Sequence, residues 1–587
     1  MLLSVSATRK QPNNNNSNRT DIPRREGIRL SKKYVIGCDF GTLSMRAILV
    51  GVEDGNILSE QVLNYRHGVI TEKLPESGVP LRGPDWALQH PDDYLEALYT
   101  NIPALLNATG VNAEDIIAIG VDFTTCTVVP LAPDGEPLCK QPAFANRPHA
   151  WVKLWKNHTA HKEAEDITAY VEKTGSNLLD YYGGRTSSEF FFPKIWEILR
   201  KDEEVYHSAD TFLEAGDFVV YKLCGNMVRS GVLAAAKGFH DNSAMAFPSP
   251  EFFRGLDPRL ENIVTEKKLQ GVVQVGSPAG TLTKAMAERL GLTTDTVVCS
   301  AHADAACTLP GAGIVEPHVM TYVMGTSTCH MMMTETFKKM PGACAVYYEG
   351  ILPGYYCYEA GQSAVGDIFD WFCKQYLPPS YMEEARERGI NIMQLMDEKA
   401  GKLAIGESGL IALDWMNGNR SILQDANLTG LIMGLTLATK PEEIFRALLE
   451  ATGFGTRVIM DQFDACGLRI DKIFACGGLA QKSSVLMQIY SDIMGKPIQV
   501  SAVKQTSAMA SALFASVAAG AEKGGHSDYR TAVKAMIPPP TVTYTPIAEN
   551  TEKYAALYKI YRQMHDFMAQ EENNPMKALR ALQQSSC

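Results

Sequence analysis

The chain has 587 residues, too many for a single hydrophobic core, so size alone calls for two large domains of about 250 residues each plus ends. A hydrophobic content of 45% is ordinary for a globular protein, while 55 Lys and Arg against 66 Asp and Glu leave a net charge of −11, which speaks against nucleic acid or an anionic membrane as partner and for a small ligand. Thirteen cysteines without a Cys-x-x-Cys pair show no zinc cluster or dithiol motif and point to free thiols in a reducing compartment, the cytoplasm.

Residues 1–32 differ from the rest, with an asparagine run at 13–16 and the basic residues Arg9, Lys10, Arg19, Arg24, Arg25 and Arg29. They read as a disordered leader, a transit peptide being the rival reading. The first structured elements are an apolar strand at Tyr34-Val35-Ile36, a Gly-Thr turn through Asp39-Phe40-Gly41-Thr42-Leu43-Ser44, and a second strand over residues 46–50. Asp92 is placed to cap a helix through Tyr94, Leu95, Leu98 and Ile102, and residues 116–122 form a buried strand ending in a carboxylate. This alternation predicts an α/β fold. Residues 166–175, 193–199 and 218–223 read as helices and 256–258 as a loop. In the second half the pattern predicts strands at 320–324 and 473–475, with helices near 364–376, 442–463 and 484–494. The apolar stretch 508–521 is short for a membrane span and contains two serines, so it reads as a buried helix. Tyr554, Leu557, Tyr558, Tyr561, Met564 and Met568 at helical spacing predict a terminal helix docked on the core.

Three glycine-rich points carry the chemistry. Gly325-Thr326-Ser327 follows a strand in the second half just as Gly41-Thr42-Leu43-Ser44 does in the first. Glycine lets a backbone approach a bulky anion, and the neighbouring N–H and hydroxyl groups surround phosphate oxygens with donors. Two such loops in separate halves suit a polyphosphate held between two lobes. The third, Gly477-Gly478, lies between a strand and a helix, where a nucleotide's base or ribose can lie against bare backbone. Between the loops stands Asp304, among alanines at the end of an apolar strand. It is placed to act as a base towards a hydroxyl; read alone, it is also an ordinary helix N-cap.

In this order, Asp39-x-Gly-Thr-x-Ser-x-Arg46, Asp304-Ala305, Gly325-Thr326-Ser327 and Gly477-Gly478 resemble the FGGY carbohydrate kinases. Longer stretches support the resemblance, among them residues 86–94, 148–155, 187–194, 358–367 and 434–439, so that it spans roughly 33–545. It implies an actin-like fold of two ribonuclease-H-like lobes closing over ATP and a sugar. Residues 33–312 would form the sugar-binding lobe, 313–548 the nucleotide-binding lobe and 549–587 a helical tail. The implied reaction is transfer of phosphate from ATP, with Mg²⁺, to the terminal hydroxyl of L-ribulose, a step of arabinose catabolism. By matching position, Asp304 would be the general base and Asp39 would hold Mg²⁺ through water. Gly41, Thr42, Ser44 and Arg46 would face the phosphates from one lobe, Gly325, Thr326 and Ser327 from the other, and Gly477 with Gly478 the base. Thr125, Trp155, Lys237, Glu359 and Asp304 itself would contact the sugar.

Each residue has a plainer rival: Trp155 as core, Lys237 as a solvated helix-end charge, Glu359 as a capping acid. Asp39-Phe40-Gly41 also mimics the magnesium motif of protein kinases, but the chain lacks the accompanying Gly-rich and His-Arg-Asp loops. Four sites depart from the ribulose-phosphorylating pattern: Thr125 for Ala, Ala306 for His, Ser483 for Asn, and the run 505–510, where Pro and Gly normally follow the threonine. Altered sugar preference or ATP affinity is the corresponding expectation. The alternatives are a kinase of D-ribulose or ribitol, and a non-catalytic actin-like sugar sensor. A homodimer is left open as the assembly.

Overall fold

The computed structural model describes residues 32–570 and 574–585; the expected leader, apart from Lys32, lies outside the described residues. Strands β1 (Tyr34–Phe40), β2 (Ser44–Gly51) and β3 (Ile57–Asn64) form an antiparallel meander. Helix α1 (Pro91–Thr109) then returns the chain so that β4 (Ile116–Phe123) runs parallel beside β1. After an insertion of helices and short strands that includes α2 (Phe191–Lys201), β5 (Val297–Cys299) pairs parallel with β4, and α3 (Asp304–Gly311) follows.

The second half repeats this path. Antiparallel β6 (Val319–Met324), β7 (Thr328–Thr334) and β8 (Tyr356–Gln362) are followed by α4 (Pro441–Ala465) and by β9 (Lys472–Cys476), parallel to β6. Then come α5 (Ser484–Met494), β10 (Ile498–Val500) parallel to β9, and the helices α6 (Thr506–Ala519) and α7 (Ala548–Met568). The strand order 3-2-1-4-5 therefore occurs twice, once in each lobe. It is the ribonuclease-H-like topology, and the pair makes an actin-like ATPase fold.

Local chemistry explains these elements. β4 is covered on both faces, so all eight of its residues are buried and its sequence is an almost unbroken apolar run. β3 lies at the sheet edge, beyond β1 and β2, and alternates between half-buried and exposed residues. Behind the first loop, the rings of Phe40 and Phe123 stack at 5.2 Å and Tyr94 meets Phe123 edge-on at 5.0 Å. The cap of α1 differs from expectation: His90 is the N-cap and its Nδ1 accepts the Asp92 N–H, because Pro91 takes the first helical position and moves Asp92 inside the first turn. The loop expected at 256–258 is only the break between the helix Pro250–Leu256 and the turn Pro258–Leu260.

Helix α6 crosses back to the first lobe. Gly37 and Gly120 are register neighbours on β1 and β4, and a Cβ on either would lie 1.9 Å from a backbone oxygen of α6, that of Ala508 or of Ser511. Two adjacent missing side chains thus leave a flat bed for the Ala- and Ser-rich helix. Gly311 of α3 makes the same allowance for the Thr506 carbonyl, also at 1.9 Å. Among the described residues no helix is long and apolar enough to cross a membrane, and no disulfide joins the cysteines.

Candidate active site

Three carboxylates meet at the ends of β1 and β4. In the sheet register Asp39 lies beside Asp122, and the short strand His302–Ala303 pairs with Asp122 and Phe123, which delivers Asp304 to the same edge. Asp122 is fully buried; its Oδ2 accepts the Ser511 hydroxyl of α6 at 2.6 Å, and its Oδ1 meets no donor unless a proton sits between it and Asp39. Burial, then the Asp39 charge, holds the Asp122 carboxyl well above the usual range. Asp39 is also raised by burial, against the pull of the Arg46 guanidinium, whose Nη1 lies 3.0 Å from its Oδ2. Asp304 is pushed up to about 7, first by burial and then by Asp39, while the Ala305 N–H that its Oδ1 accepts works in the opposite direction. Ala303, not Asp304, is the N-cap of α3. Oxygen donors alone, one of them without a hydrogen-bond partner, suit a hard divalent cation.

The phosphate-loop candidates occupy equivalent hairpin turns, β1–β2 in the first lobe and β6–β7 in the second. Gly41, Gly325 and Gly478 all have φ outside the left-handed region. A Cβ on Gly41 or Gly325 would meet nothing closer than 3.5 Å, and one on Gly478 nothing within 4 Å. Neither backbone strain nor packing requires glycine at these three positions, so the bare backbone there leaves room for a ligand. Gly477 differs, because its φ of 92° and a Cβ distance of 2.4 Å to the Met324 carbonyl demand glycine for the fold itself. The Thr42 carbonyl accepts from Gln89 Nε2 at 2.8 Å, and Gln89 in turn accepts from Tyr94. The Thr326 carbonyl accepts the N–H groups of Val365 and Asp367. Ser44, the first residue of β2, and Ser327, in its turn, are half-buried. Arg46 also reaches Glu60 at 3.4 Å, which itself accepts from Gln505.

Among the sugar-side candidates, Trp155 is half-buried, and its Nε1 donates to the Thr42 hydroxyl at 3.1 Å, which joins the expected sugar wall to the phosphate loop. Lys237 ends a helix but is not solvated. Its Nζ lies 3.6 Å from Glu189 and 4.0 Å from Glu359, and although burial opposes its charge, Glu359 and Glu189 hold its pKa above the usual lysine range. Glu359 stands mid-strand on β8 rather than capping a helix. Thr125 is half-buried in the turn after β4. Asp304 lies in the field of both groups, raised by Asp39 on one side and by Glu359 on the other, with Lys237 opposing.

Sequence reasoning missed Asp122, Glu189 and Arg420. Asp122 had been read only as the last residue of a strand, and Glu189 sits inside a stretch that carried the resemblance. Arg420 belongs to no pattern, yet the carboxylate of Glu189, with that of Glu359 adding to it, holds its guanidinium charged against its burial. Of the four departures, Ala306 is buried in α3, Ser483 is the N-cap of α5 and accepts the Leu486 N–H, and the 505–510 run opens α6 on the first lobe's sheet.

Paired ribonuclease-H-like lobes, a bare-backbone loop at the head of each, and an acid between them define an actin-like phosphotransferase. Residues 34–311 match the N-terminal domain and 320–519 the C-terminal domain of the FGGY family of carbohydrate kinases, and the chain belongs to that family. It is 50% identical to a ribulokinase of Anoxybacillus flavithermus, over 94% of this chain and 97% of that one. It is 49% identical to a ribulokinase of Geobacillus thermodenitrificans over the same shares. The crystal structure of xylulose kinase from Rhodospirillum rubrum shares its fold with a TM-score of 0.75, at 22% identity over 91% of this chain and 99% of that one.

Proposed function

We propose that this kinase transfers the terminal phosphoryl group of ATP to the terminal hydroxyl of L-ribulose, giving L-ribulose 5-phosphate for arabinose catabolism. The observation that carries the reading is the position of Asp304, electrostatically coupled both to Asp39 beside the first phosphate loop and to the Lys237–Glu359 pair. The two ribulokinase relatives support the choice of sugar.

In this reading Asp304 accepts the proton of the attacking hydroxyl, and Lys237, Glu359, Trp155 and Thr125 fix the sugar's orientation. Gly41, Thr42 and Ser44 hold the phosphates from one lobe and Gly325, Thr326 and Ser327 from the other, with Gly477 and Gly478 beside the base. Arg46 exchanges part of its pairing with Asp39 for phosphate oxygens. Asp39, with Asp122 beside it, would hold Mg²⁺, which neutralises phosphate charge when bound. Phosphoryl transfer demands mainly alignment and charge compensation, and these groups supply both. A sugar recognised by paired buried charges is also well discriminated, because a missing hydroxyl would strand its partner. The proposal extends to the lobe limits 33–312 and 313–548, to action in the cytoplasm and to a homodimer.

The test is ADP release with L-ribulose, D-ribulose, xylulose, ribitol and glycerol, for wild type and Asp304→Asn. L-ribulose should give the highest kcat/KM, and the variant should lose about a hundredfold to ten-thousandfold in rate. Preference for another polyol would replace the substrate, ADP release by none would favour the sensor reading, and an unimpaired variant would remove Asp304 as base.

A further inference from the structure

Lys194 is a fully buried ammonium on the first turn of α2. Its Nζ donates to the carbonyls of Cys126 at 2.6 Å, Leu154 at 2.8 Å and Trp155 at 3.3 Å. Burying an ammonium is costly unless its hydrogens are taken up, and here three donors meet three carbonyls. Two of those carbonyls belong to the segments that present candidate sugar contacts, Cys126 following Thr125 in its turn and Trp155 itself.

The turn at Cys126 needs such a hold. Cys126 has φ 61°, in the left-handed region that a residue with a side chain rarely adopts and that persists only where its surroundings enforce it. Besides Lys194, the turn is held by Glu214, which accepts the Thr127 N–H at 3.1 Å, and by the hydroxyl pair Thr124–Thr127 at 2.8 Å. The chain leading into α2 reaches the third contact. The Phe191 N–H donates to the Lys237 carbonyl at 3.3 Å, and the Glu189 carboxylate lies 3.6 Å from the Lys237 ammonium.

We propose that the segment from Glu189 to Lys194 is the positioning element of the sugar pocket, and that Lys194 sets sugar affinity and selectivity by locking the Cys126 turn to the backbone of Trp155. This rests on the reading of Thr125, Trp155 and Lys237 as sugar contacts. Lys194 acts through those residues and touches neither sugar nor nucleotide. A linear ammonium fits the role because its three donors rotate freely to three carbonyls, which a planar guanidinium cannot do.

Steady-state kinetics of the full chain test this, varying L-ribulose, D-ribulose and ATP separately for wild type, Lys194→Met, Trp155→Phe and the double variant Lys194→Met/Cys126→Gly. Lys194→Met should raise the KM for L-ribulose about tenfold to a hundredfold, the scale of a reactant misplaced by a distant change, with the KM for ATP unchanged and the preference between the two ribuloses narrowed. Glycine at 126 adopts the turn without strain, so the double variant should recover much of the sugar affinity. Should Lys194→Met fail to fold, Lys194→Gln is read in the same way. A soluble Lys194 variant with wild-type sugar KM, or one in which the sugar and ATP KM rise together, overturns the proposal, as does failure of Cys126→Gly to restore anything. If Trp155→Phe also leaves the sugar KM untouched, the sugar-site reading falls instead.

Discussion

At the scale of single residues, Asp304 shows how burial prepares a carboxylate for proton transfer. Burial, then the Asp39 charge, moves its pKa from the ordinary acid range to about 7, a value suited to a base that must accept a proton and give it up again near neutrality. The base must be ionised to act, so kcat/KM for the sugar should fall as pH drops through about 7, and a profile flat across neutral pH would contradict the assignment. Stability follows the opposite sign. The unfolded carboxyl, with pKa about 3.9, loses its proton first, so the group's contribution to stability falls as pH rises from there towards 7 and is constant above. Asp304→Asn should therefore raise the apparent melting temperature more at about pH 8, above the folded pKa, than at about pH 5, below it.

At the scale of elements, glycine has two distinct uses here, and substitution separates them. Gly37 and Gly120 make the bed of α6, where a Cβ would lie 1.9 Å from backbone. Alanine at either must push the helix off the sheet, an overpacking that costs about 1–3 kcal/mol or more and should lower the melting temperature. Gly478 faces open space, so Gly478→Ala should leave the melting temperature alone and raise the KM for ATP. Equal melting temperatures for Gly37→Ala and Gly478→Ala would show that the close approach of α6 does not matter.

At the scale of the whole molecule, the lobes are joined in two ways. The bed of α6 against β1, β4 and α3 is apolar and close-packed, the kind of contact that keeps its arrangement. Elsewhere polar contacts, Lys237 to Glu359, Asn242 to the Tyr348 carbonyl at 2.9 Å and the Gly342 N–H to the Gly183 carbonyl at 2.9 Å, stand beside apolar ones such as Tyr181 against Phe337 at 4.9 Å. Polar contacts exchange with water, so motion should pivot on α6 while the Lys237 side opens and closes. Small-angle scattering should show the radius of gyration falling when sugar and a non-hydrolysable ATP analogue bind together, and Lys237→Met should blunt the change. An unchanged radius with both ligands bound would refute the hinge.

Much of this was legible beforehand. The two Gly-Thr turns, the apolar run of β4 and the spacing along α4, α5 and α7 are local signals, complete within a few residues. The α1 cap was misplaced by two positions because histidine capping depends on a rotamer that no pattern records. Glu189 and Arg420 drew no notice because a charged residue looks the same in sequence whether it faces solvent or a buried partner.

By itself, then, the sequence determined the main elements and the glycine and hydroxyl make-up of each loop, since backbone preference and hydrophobic period act between neighbours along the chain. Only the tertiary structure decided that Asp122 stands beside Asp39, that Ser511 reaches it from the far end of the chain, and that α6 of one lobe rests on the other lobe's sheet. Register between strands and the fit of a helix to two bare glycines are properties of surfaces assembled from distant segments, and they take shape only when the whole chain has packed.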